Sequence, residues 1–150
     1  MKKILGLVVS LTIISGVCAG VLAYVDSITK EPIKATAEKN REAAKKAVLC
    51  GEEGYTAEGT CKDGYGGDIT LMVGFKKDKK TVISYKVLAA NETPGLGMKL
   101  KAPEFASQFS GKVASGLRVK KDGGEIEAMT SATITSRAVC KAIEDAQKKL

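Results

Sequence analysis

The chain has 150 residues, 44% of them hydrophobic, and carries a formal net charge of +7 with no histidine. Once an apolar N-terminal run is set aside, this length leaves one domain with a two-layer core. The lack of histidine excludes most zinc, haem and Ser-His-Asp chemistry, and the cysteines form no CxxC pair, so we expect no metal site. Dispersed lysine pairs and a low aromatic content argue against nucleic acid as a partner.

An uncharged apolar run at residues 4–25 follows Lys2 and Lys3. About 20 apolar residues span a bilayer, and the positive-inside rule leaves the basic end in the cytoplasm. We therefore predict a cytoplasmic N-terminus at 1–3, a transmembrane helix at 4–25 and an extracytoplasmic remainder, in a single-pass protein of the cytoplasmic membrane. The alternative is a cleaved signal peptide, because Cys18-Ala19-Gly20 are small, although the apolar core of such peptides is shorter.

A juxtamembrane segment at 26–50 is predicted to contain a hinge at Asp26 to Pro32 and a helix at 33–49, where Ala, Glu and Lys predominate. The glycine-rich residues 51–67 are predicted to be a loop that opens the extracytoplasmic domain at 51–150.

The cysteines outside the membrane run allow two redox states. Cys50 and Cys61 enclose residues 51–60, the first part of the glycine-rich stretch. They form a disulfide in an oxidising compartment or stay reduced in an anaerobic host. Cys140, near the apolar stripe of the last helix, is predicted to be a buried free thiol.

Alternating apolar residues at 69–75 and 83–89, separated by a short polar turn, predict an antiparallel hairpin. Residues 103–109 are predicted to form a short helix, and residues 113–119 and 125–128 further strands. The fold class is therefore α+β: one N-terminal transmembrane helix followed by a small antiparallel sheet with packed helices.

The run Thr130-Ser131-Ala132-Thr133-Ile134-Thr135-Ser136 precedes a helical apolar period that continues to Leu150. Its hydroxyls lie where a helix begins, so the unpaired N–H groups and the positive end of the dipole can stabilise a phosphate. Ordinary helix capping is the alternative, because Ser and Thr are common N-caps.

A second motif, Asn91-Glu92-Thr93-Pro94-Gly95-Leu96-Gly97, follows the second strand of the hairpin. Its proline and two glycines favour a rigid turn that a ligand can approach closely. An ordinary surface turn is the alternative.

These two motifs, with Gly64-Tyr65-Gly66-Gly67 before them, resemble the FMN-binding domain of the G subunit of the Rnf electron-transport complex. The C subunit of the sodium-pumping NADH:quinone reductase shares that domain. The resemblance implies FMN attached through its phosphate to Thr133, the last residue of a Ser/Thr-Gly-Ala-Thr motif. It also implies a flavin transferase that uses FAD and reads an acidic residue six positions earlier, here Glu127. Ser131 stands where the family usually has glycine.

The resemblance implies a set of cofactor-binding residues and no catalytic residue. The set comprises Thr130, Ser131, Ala132, Thr133, Ile134, Thr135, Glu92, Thr93, Leu96 and Gly97. Thr93, Leu96 and Gly97 are expected near the isoalloxazine ring. Tyr65 either stacks on the ring or covers the core from a strand edge.

The function implied is electron relay through FMN, in a non-catalytic redox subunit of a membrane-bound, ion-translocating ferredoxin:NAD+ oxidoreductase. Its partners would be the other subunits, the flavin transferase and the membrane. One alternative is a stand-alone, membrane-anchored FMN protein for extracellular electron transfer. Another is a flavin-free, membrane-tethered structural domain.

Overall fold

The computed structural model describes residues 2–150, with side chains from residue 4 onward, so the predicted cytoplasmic segment 1–3 lies outside the described side chains. The helices and strands are α1 Lys2–Leu49, β1 Tyr55–Gly64, β2 Gly67–Phe75, β3 Val82–Ala90, α2 Pro103–Ala106 and α3 Thr133–Lys148. Three 3-10 turns cover Gly97–Lys101, Ser107–Phe109 and Lys120–Asp122. The predicted α+β class is confirmed. The chain divides into two compact units, Met1–Lys39 and Asn40–Leu150.

The described residues of the first unit all belong to the N-terminal part of α1, and its described side chains are all exposed. Ile4–Leu49 is long and apolar enough to cross a membrane, judged by length and composition. An apolar helix without a protein partner is typical of a membrane span. The predicted hinge at 26–32 is wrong, because α1 continues through Pro32. A proline removes one N–H from the helix ladder, and the strong helix formers after it sustain the helix.

The second unit contains an antiparallel sheet with strand order β1-β2-β3. The predicted hairpin is confirmed as β2 and β3. The predicted loop at 51–67 is wrong in its centre, since β1 pairs with β2 from Tyr55↔Phe75 to Cys61↔Ile69. The inward side chains of β1 are small, as at Ala57 and Gly59, and therefore lack the bulky apolar alternation that indicates a strand.

The predicted strands at 113–119 and 125–128 are also wrong. This region holds only isolated bridges, Thr81↔Val113 and Val119↔Ile126. Left-handed glycines such as Gly116 (φ 76°) turn the chain out of the extended conformation. Ala114, Val119 and Ile126 nevertheless anchor it in the core. The predicted helix at 103–109 is confirmed as α2 with the 3-10 turn that follows it.

The sheet is covered on both faces within the second unit. α3 packs against β1 and β2 over a core that includes Leu71 and Phe75. On the other face, Ala44 and Val48 of α1 pack on Met72. This explains why every residue of β2 from Leu71 to Phe75 is buried. Because Ile69 pairs with Ala90, the β1–β2 turn and the end of β3 lie at the same end of the sheet.

All four cysteines lie in the described part of the chain and are free. Cys50 is exposed just after α1, whereas Cys61 is buried in β1 opposite Ile69, six residues along the strand from Tyr55. The disulfide alternative is therefore wrong for this structure. Cys140 is buried as predicted, and burial raises the pKa of its thiol to about 12.

Candidate functional site

Three segments that are far apart in the sequence meet at one end of the sheet and enclose a cleft of about 490 Å³. They are the β1–β2 turn, the loop after β3 and the beginning of α3. The lining residues are Tyr65, Glu92, Thr93, Leu96, Gly97, Ser131, Ala132, Thr133, Ile134 and Thr135. The structure thus brings the two sequence motifs into one concave site.

The floor of this cleft is organised by Glu92, a residue that is only 6% exposed. Its Oε2 accepts a hydrogen bond from Thr135 Oγ1 at 2.8 Å, and its Oε1 accepts one from the Gly66 N–H at 3.3 Å. A buried carboxylate requires such donors, because an unsatisfied one is strongly destabilising. Glu92 therefore links all three segments that form the cleft.

Gly97 lies against this carboxylate. A Cβ at Gly97 would overlap Glu92 Oε2 and would lie only 2.9 Å from Glu92 Cβ and 3.0 Å from Thr135 Oγ1. A Cβ at Gly66 would likewise overlap the Asn91 carbonyl. Glycine is needed at Gly66 because its backbone lies against the Asn91 backbone, and at Gly97 because the Glu92 side chain and the Thr135 hydroxyl fill the space that a side chain would take.

The hydroxyls of the Thr130–Ser136 run do not cap α3. Its N-cap residue is Ala132, and no side chain bonds to the cap. Ser136 Oγ instead accepts from the Met129 N–H at 3.0 Å and donates to the Ala132 carbonyl at 2.9 Å. The first-turn N–H groups, which have no partner within the helix, therefore also lack a side-chain cap. Thr133, half-buried at the first helical position, lines the cleft.

Ser131 lies in the turn that leads into α3. Its φ is 61°, in the left-handed region that glycine adopts without strain. The turn into α3 thus requires the conformation that a glycine would supply, and a serine at this position bears a modest steric strain.

Two predicted residues lie outside the cleft lining. Thr130 is exposed beside it. Glu127 is exposed, its carboxylate pairs with Lys120 Nζ at 2.9 Å, and its backbone N–H donates to Gln108 Oε1 at 2.7 Å. Tyr65 lines the cleft and is 72% exposed, so the alternative in which it covers the core is wrong.

Lys121 is a residue near the cleft to which neither sequence motif points. Its Nζ lies 3.4 Å from Thr133 Oγ1, across 12 positions of sequence. Nothing in the sequence distinguishes Lys121 from Lys120 beside it, because both belong to one of the dispersed lysine pairs. Only the turn before α3 shows which of the two faces the threonine.

A second cleft of about 520 Å³ lies between residues 111–118 and 123–125. It contains none of the residues that the motifs predicted, and it lies in the irregular segment between the 3-10 turn at Ser107–Phe109 and α3. We therefore place the candidate site in the first cleft, where a buried acidic group, close backbone contacts and a helix N-terminus converge.

A comparison with known protein families identifies the domain that contains this cleft. Residues 64–148 match the model of the FMN-binding domain, which covers more than half of the chain. The chain belongs to the FMN-binding domain family. The match begins at the β1–β2 turn and ends at the end of α3, so it includes every segment that lines the cleft.

Relatives with this domain confirm the resemblance to the Rnf protein. The G subunit of the ion-translocating oxidoreductase complex of Methanosarcina acetivorans is 30% identical over 97% of this chain and 93% of its own length. The G subunit of the proton-translocating ferredoxin:NAD(+) oxidoreductase complex of Clostridium ljungdahlii is 44% identical over 58% of this chain and 48% of its own. The corresponding Escherichia coli protein is 44% identical over 59% and 46%. The chain thus spans about half the length of these bacterial relatives.

Among solved structures, the C subunit of the Na(+)-translocating NADH-quinone reductase of Parabacteroides distasonis has a TM-score of 0.49 and 26% identity. It covers 60% of this chain, which covers 50% of it.

The cleft of this FMN-binding domain fits the mononucleotide in size and in chemistry. Its volume lies within the range of about 300–1,000 Å³ typical of small-molecule sites. Tyr65, Leu96 and Ile134 are exposed aromatic or apolar side chains on its rim, as a flat heteroaromatic ring requires. The uncapped start of α3 at Thr133 suits a phosphate.

Proposed function

We propose that this chain is an electron-carrier subunit of a membrane-bound, ion-translocating oxidoreductase complex, and that its FMN is esterified to Thr133. The observation that carries the proposal is the position of Thr133. Its hydroxyl-bearing side chain lines the cleft at the uncapped first turn of α3, opposite the Glu92–Gly97 loop. The capping interpretation of the hydroxyl run, on which the flavin-free alternative depends, loses its support because no hydroxyl caps the helix.

Different residues around Thr133 would bind the phosphate and the ring of the cofactor. The first-turn N–H groups of α3 donate to the phosphate, which the helix dipole also favours. Leu96 and Ile134 offer apolar surface to the ring, and the exposed Tyr65 offers an aromatic face. Glu92 contributes from below by fixing the loops, since its oxygens accept from Thr135 and Gly66.

Attachment requires one group-transfer step. Thr133 Oγ1 attacks the flavin-side phosphorus of FAD, an O–P bond forms, and the P–O–P bond breaks. AMP leaves with the bridging oxygen, and the hydroxyl proton passes to a base of the flavin transferase. Glu127 is exposed six positions earlier and paired only with a surface lysine, so the transferase can reach it. Thr133 is therefore a modified residue and not a catalyst.

The bound flavin would accept and pass on one or two electrons, and the protein contributes position, electrostatics and shielding. The described cysteines offer no competing redox chemistry in the cleft, because Cys61 and Cys140 are buried in the core. The chain would therefore act as a relay within the complex.

The apolar part of α1 would anchor this relay in the cytoplasmic membrane. Lys2 and Lys3 would keep the N-terminus in the cytoplasm and place residues 51–150 outside. The partners would be the other subunits, which donate and accept the electrons between ferredoxin and NAD+. These assignments rest on the names of the relatives and on the apolar helix.

Spectroscopy of the full-length protein tests the proposed relay. We expect protein purified in detergent, from a host with its flavin transferase, to be yellow. Its visible flavin band should bleach on anaerobic reduction and return when an oxidised electron acceptor is added. A Thr133→Ala variant should be colourless. A colourless native protein would reject the proposal and favour the flavin-free structural domain.

A further inference from the structure

We propose that Lys121 is the cationic side chain that binds the phosphate at Thr133, during flavin transfer and in the finished ester. The inference rests on the proposed function and adds to it a residue for which neither motif accounts. Its starting point is the 3.4 Å distance from Lys121 Nζ to Thr133 Oγ1. A phosphorus bonded to that oxygen places phosphate oxygens within reach of the ammonium group.

Lys121 is available for this role, whereas its neighbour is not. Lys120 Nζ is paired with Glu127 Oε2 at 2.9 Å. Among the described residues, no carboxylate lies within 4.0 Å of Lys121 Nζ, and the Thr133 hydroxyl is its one hydrogen-bond partner. The Lys121 ammonium group has no acidic partner and points at the hydroxyl that is to carry a phosphate. A phosphate attached there would supply its missing anionic partner.

The turn that carries Lys121 is fixed to the helix that carries Thr133. Asp122 accepts two hydrogen bonds from Arg137 of α3, from Nε to Oδ2 at 2.6 Å and from Nη2 to Oδ1 at 2.7 Å. Such bidentate pairs fix relative orientation as well as contributing energy. Gly123 then ends the turn in the left-handed conformation, with φ 78°. The Asp122–Arg137 pair therefore holds Lys121 close to Thr133, because Asp122 follows Lys121 and Arg137 lies one helical turn after Thr133.

The chemistry of transfer explains why a cation is useful here. Negative charge builds up on the phosphoryl oxygens when the threonine oxygen attacks and AMP departs, and a positioned ammonium group stabilises it. In the product, the phosphodiester keeps one negative charge beside the helix N-terminus. Backbone N–H groups and Lys121 would share that charge from two sides.

The first test measures the rate of flavin transfer. Full-length chain prepared without flavin transferase is mixed with purified transferase and FAD, and the gain of mass is followed with time. We expect Lys121→Met to slow the transfer about tenfold and Lys121→Arg to retain most of the rate. Lys76→Met is the control, because Lys76 is exposed just after β2, at the end of the sheet opposite the cleft, and this variant should stay within about twofold of the native rate. Raising the salt concentration should reduce the difference in transfer rate between the native chain and Lys121→Met, because salt screens the interaction between the exposed ammonium group and the phosphate.

The second test examines the finished ester without any variant. The rates at which an amine-acetylating reagent modifies Lys120 and Lys121 are compared by peptide mass spectrometry in flavinylated and unmodified native chain. We expect flavinylation to slow the modification of Lys121 about fivefold and to leave Lys120 within about twofold.

The outcomes separate the two proposals. A native chain that gains no mass would overturn the proposed attachment, and this inference with it. A native chain that is modified normally, with Lys121→Met as fast as Lys76→Met, would overturn the role of Lys121 alone. Equal protection of the two lysines on flavinylation would do the same.

Discussion

Glu92 and Thr135 are 43 positions apart in the sequence, and the buried hydrogen bond from Thr135 Oγ1 to Glu92 Oε2 joins them at 2.8 Å. Thr135 lies two residues after Thr133 in the first turn of α3. Because Glu92 also accepts from the Gly66 N–H, one carboxylate fixes the helix start and the β1–β2 turn relative to its own loop. The shape of the cleft thus depends on the buried Glu92 carboxylate at its floor.

Replacing Glu92 by alanine should weaken both the fold and the site. The Thr135 hydroxyl would lose its buried acceptor, so we expect the free energy of unfolding to fall by about 1–3 kcal/mol. Covalent flavin per chain should fall as well. Thermal unfolding and intact mass measure the two effects. Glu53→Ala is the control, because Glu53 forms an exposed pair with Lys77 and should change stability by less than about 1 kcal/mol. Equal stability of the two variants would contradict this account of Glu92.

Gly97→Ala should distort the cleft because the added Cβ meets Glu92 Oε2. We expect flavin incorporation to fall severalfold and the flavin absorption band to shift. Gly95→Asn is the matched control, since Gly95 has open space around it and φ 76°, a conformation that asparagine tolerates. Mass and absorption spectra of both variants check the expectation. An unchanged Gly97→Ala protein would show that close approach at this position is unimportant for the site.

Ser131→Gly places, at a left-handed position with φ 61°, the residue type that adopts this conformation without strain. Relief of the backbone strain at this position should stabilise the folded chain by about 1 kcal/mol. The greater conformational freedom of glycine in the unfolded chain offsets about as much, so the free energy of unfolding should change by less than about 1 kcal/mol. The rate of flavin transfer should rise, because the backbone at the cleft reaches the required conformation more easily. Single-turnover transfer assays on this variant and on exposed Ser115→Gly measure the effect. A slower Ser131→Gly chain would contradict the conformational role.

Asp78 makes the β2–β3 turn sensitive to pH. The Thr81 hydroxyl and the Thr81 and Lys80 N–H groups donate to its carboxylate and lower its pKa from 3.8 to about 2. A folded-state pKa below the unfolded one contributes stability that is present above about pH 4 and is lost as the pH falls through about 2. The difference in Tm between the native chain and Asp78→Asn should therefore be largest at neutral pH and shrink over that window. A difference that stays constant down to pH 2 would exclude this linkage.

The sequence was informative wherever bulky periodicity or a motif was present. The helix from Thr133 and the hairpin of β2 and β3 were predicted from their apolar periods. The two motifs were expected to form one site, and the structure brings Glu92, Gly97 and Thr133 to one cleft. Their contacts with FMN stay a prediction.

The sequence failed where tertiary contacts replace local signals. β1 buries Ala57 and Gly59 because α3 lies so close that a Cβ on Gly59 would be 2.8 Å from Ala146 Cβ. The small residues of β1 are there because of this packing. In the sequence alone, their glycine content is typical of a loop. Lys121 was missed for a related reason. Its distinction from Lys120 exists only once Asp122 and Arg137 have fixed the turn to α3.

The most direct test is the intact mass of the native chain, of Thr133→Ala and of Ser115→Ala, each produced with the flavin transferase and denatured before measurement. Ser115 is an exposed hydroxyl residue that belongs to neither motif and does not line the cleft. We expect an added mass of FMN minus water on the native chain and on Ser115→Ala, its absence from Thr133→Ala, and a modified peptide that contains Thr133. An unmodified native chain, or a modification that survives in Thr133→Ala, would contradict the attachment of FMN to Thr133.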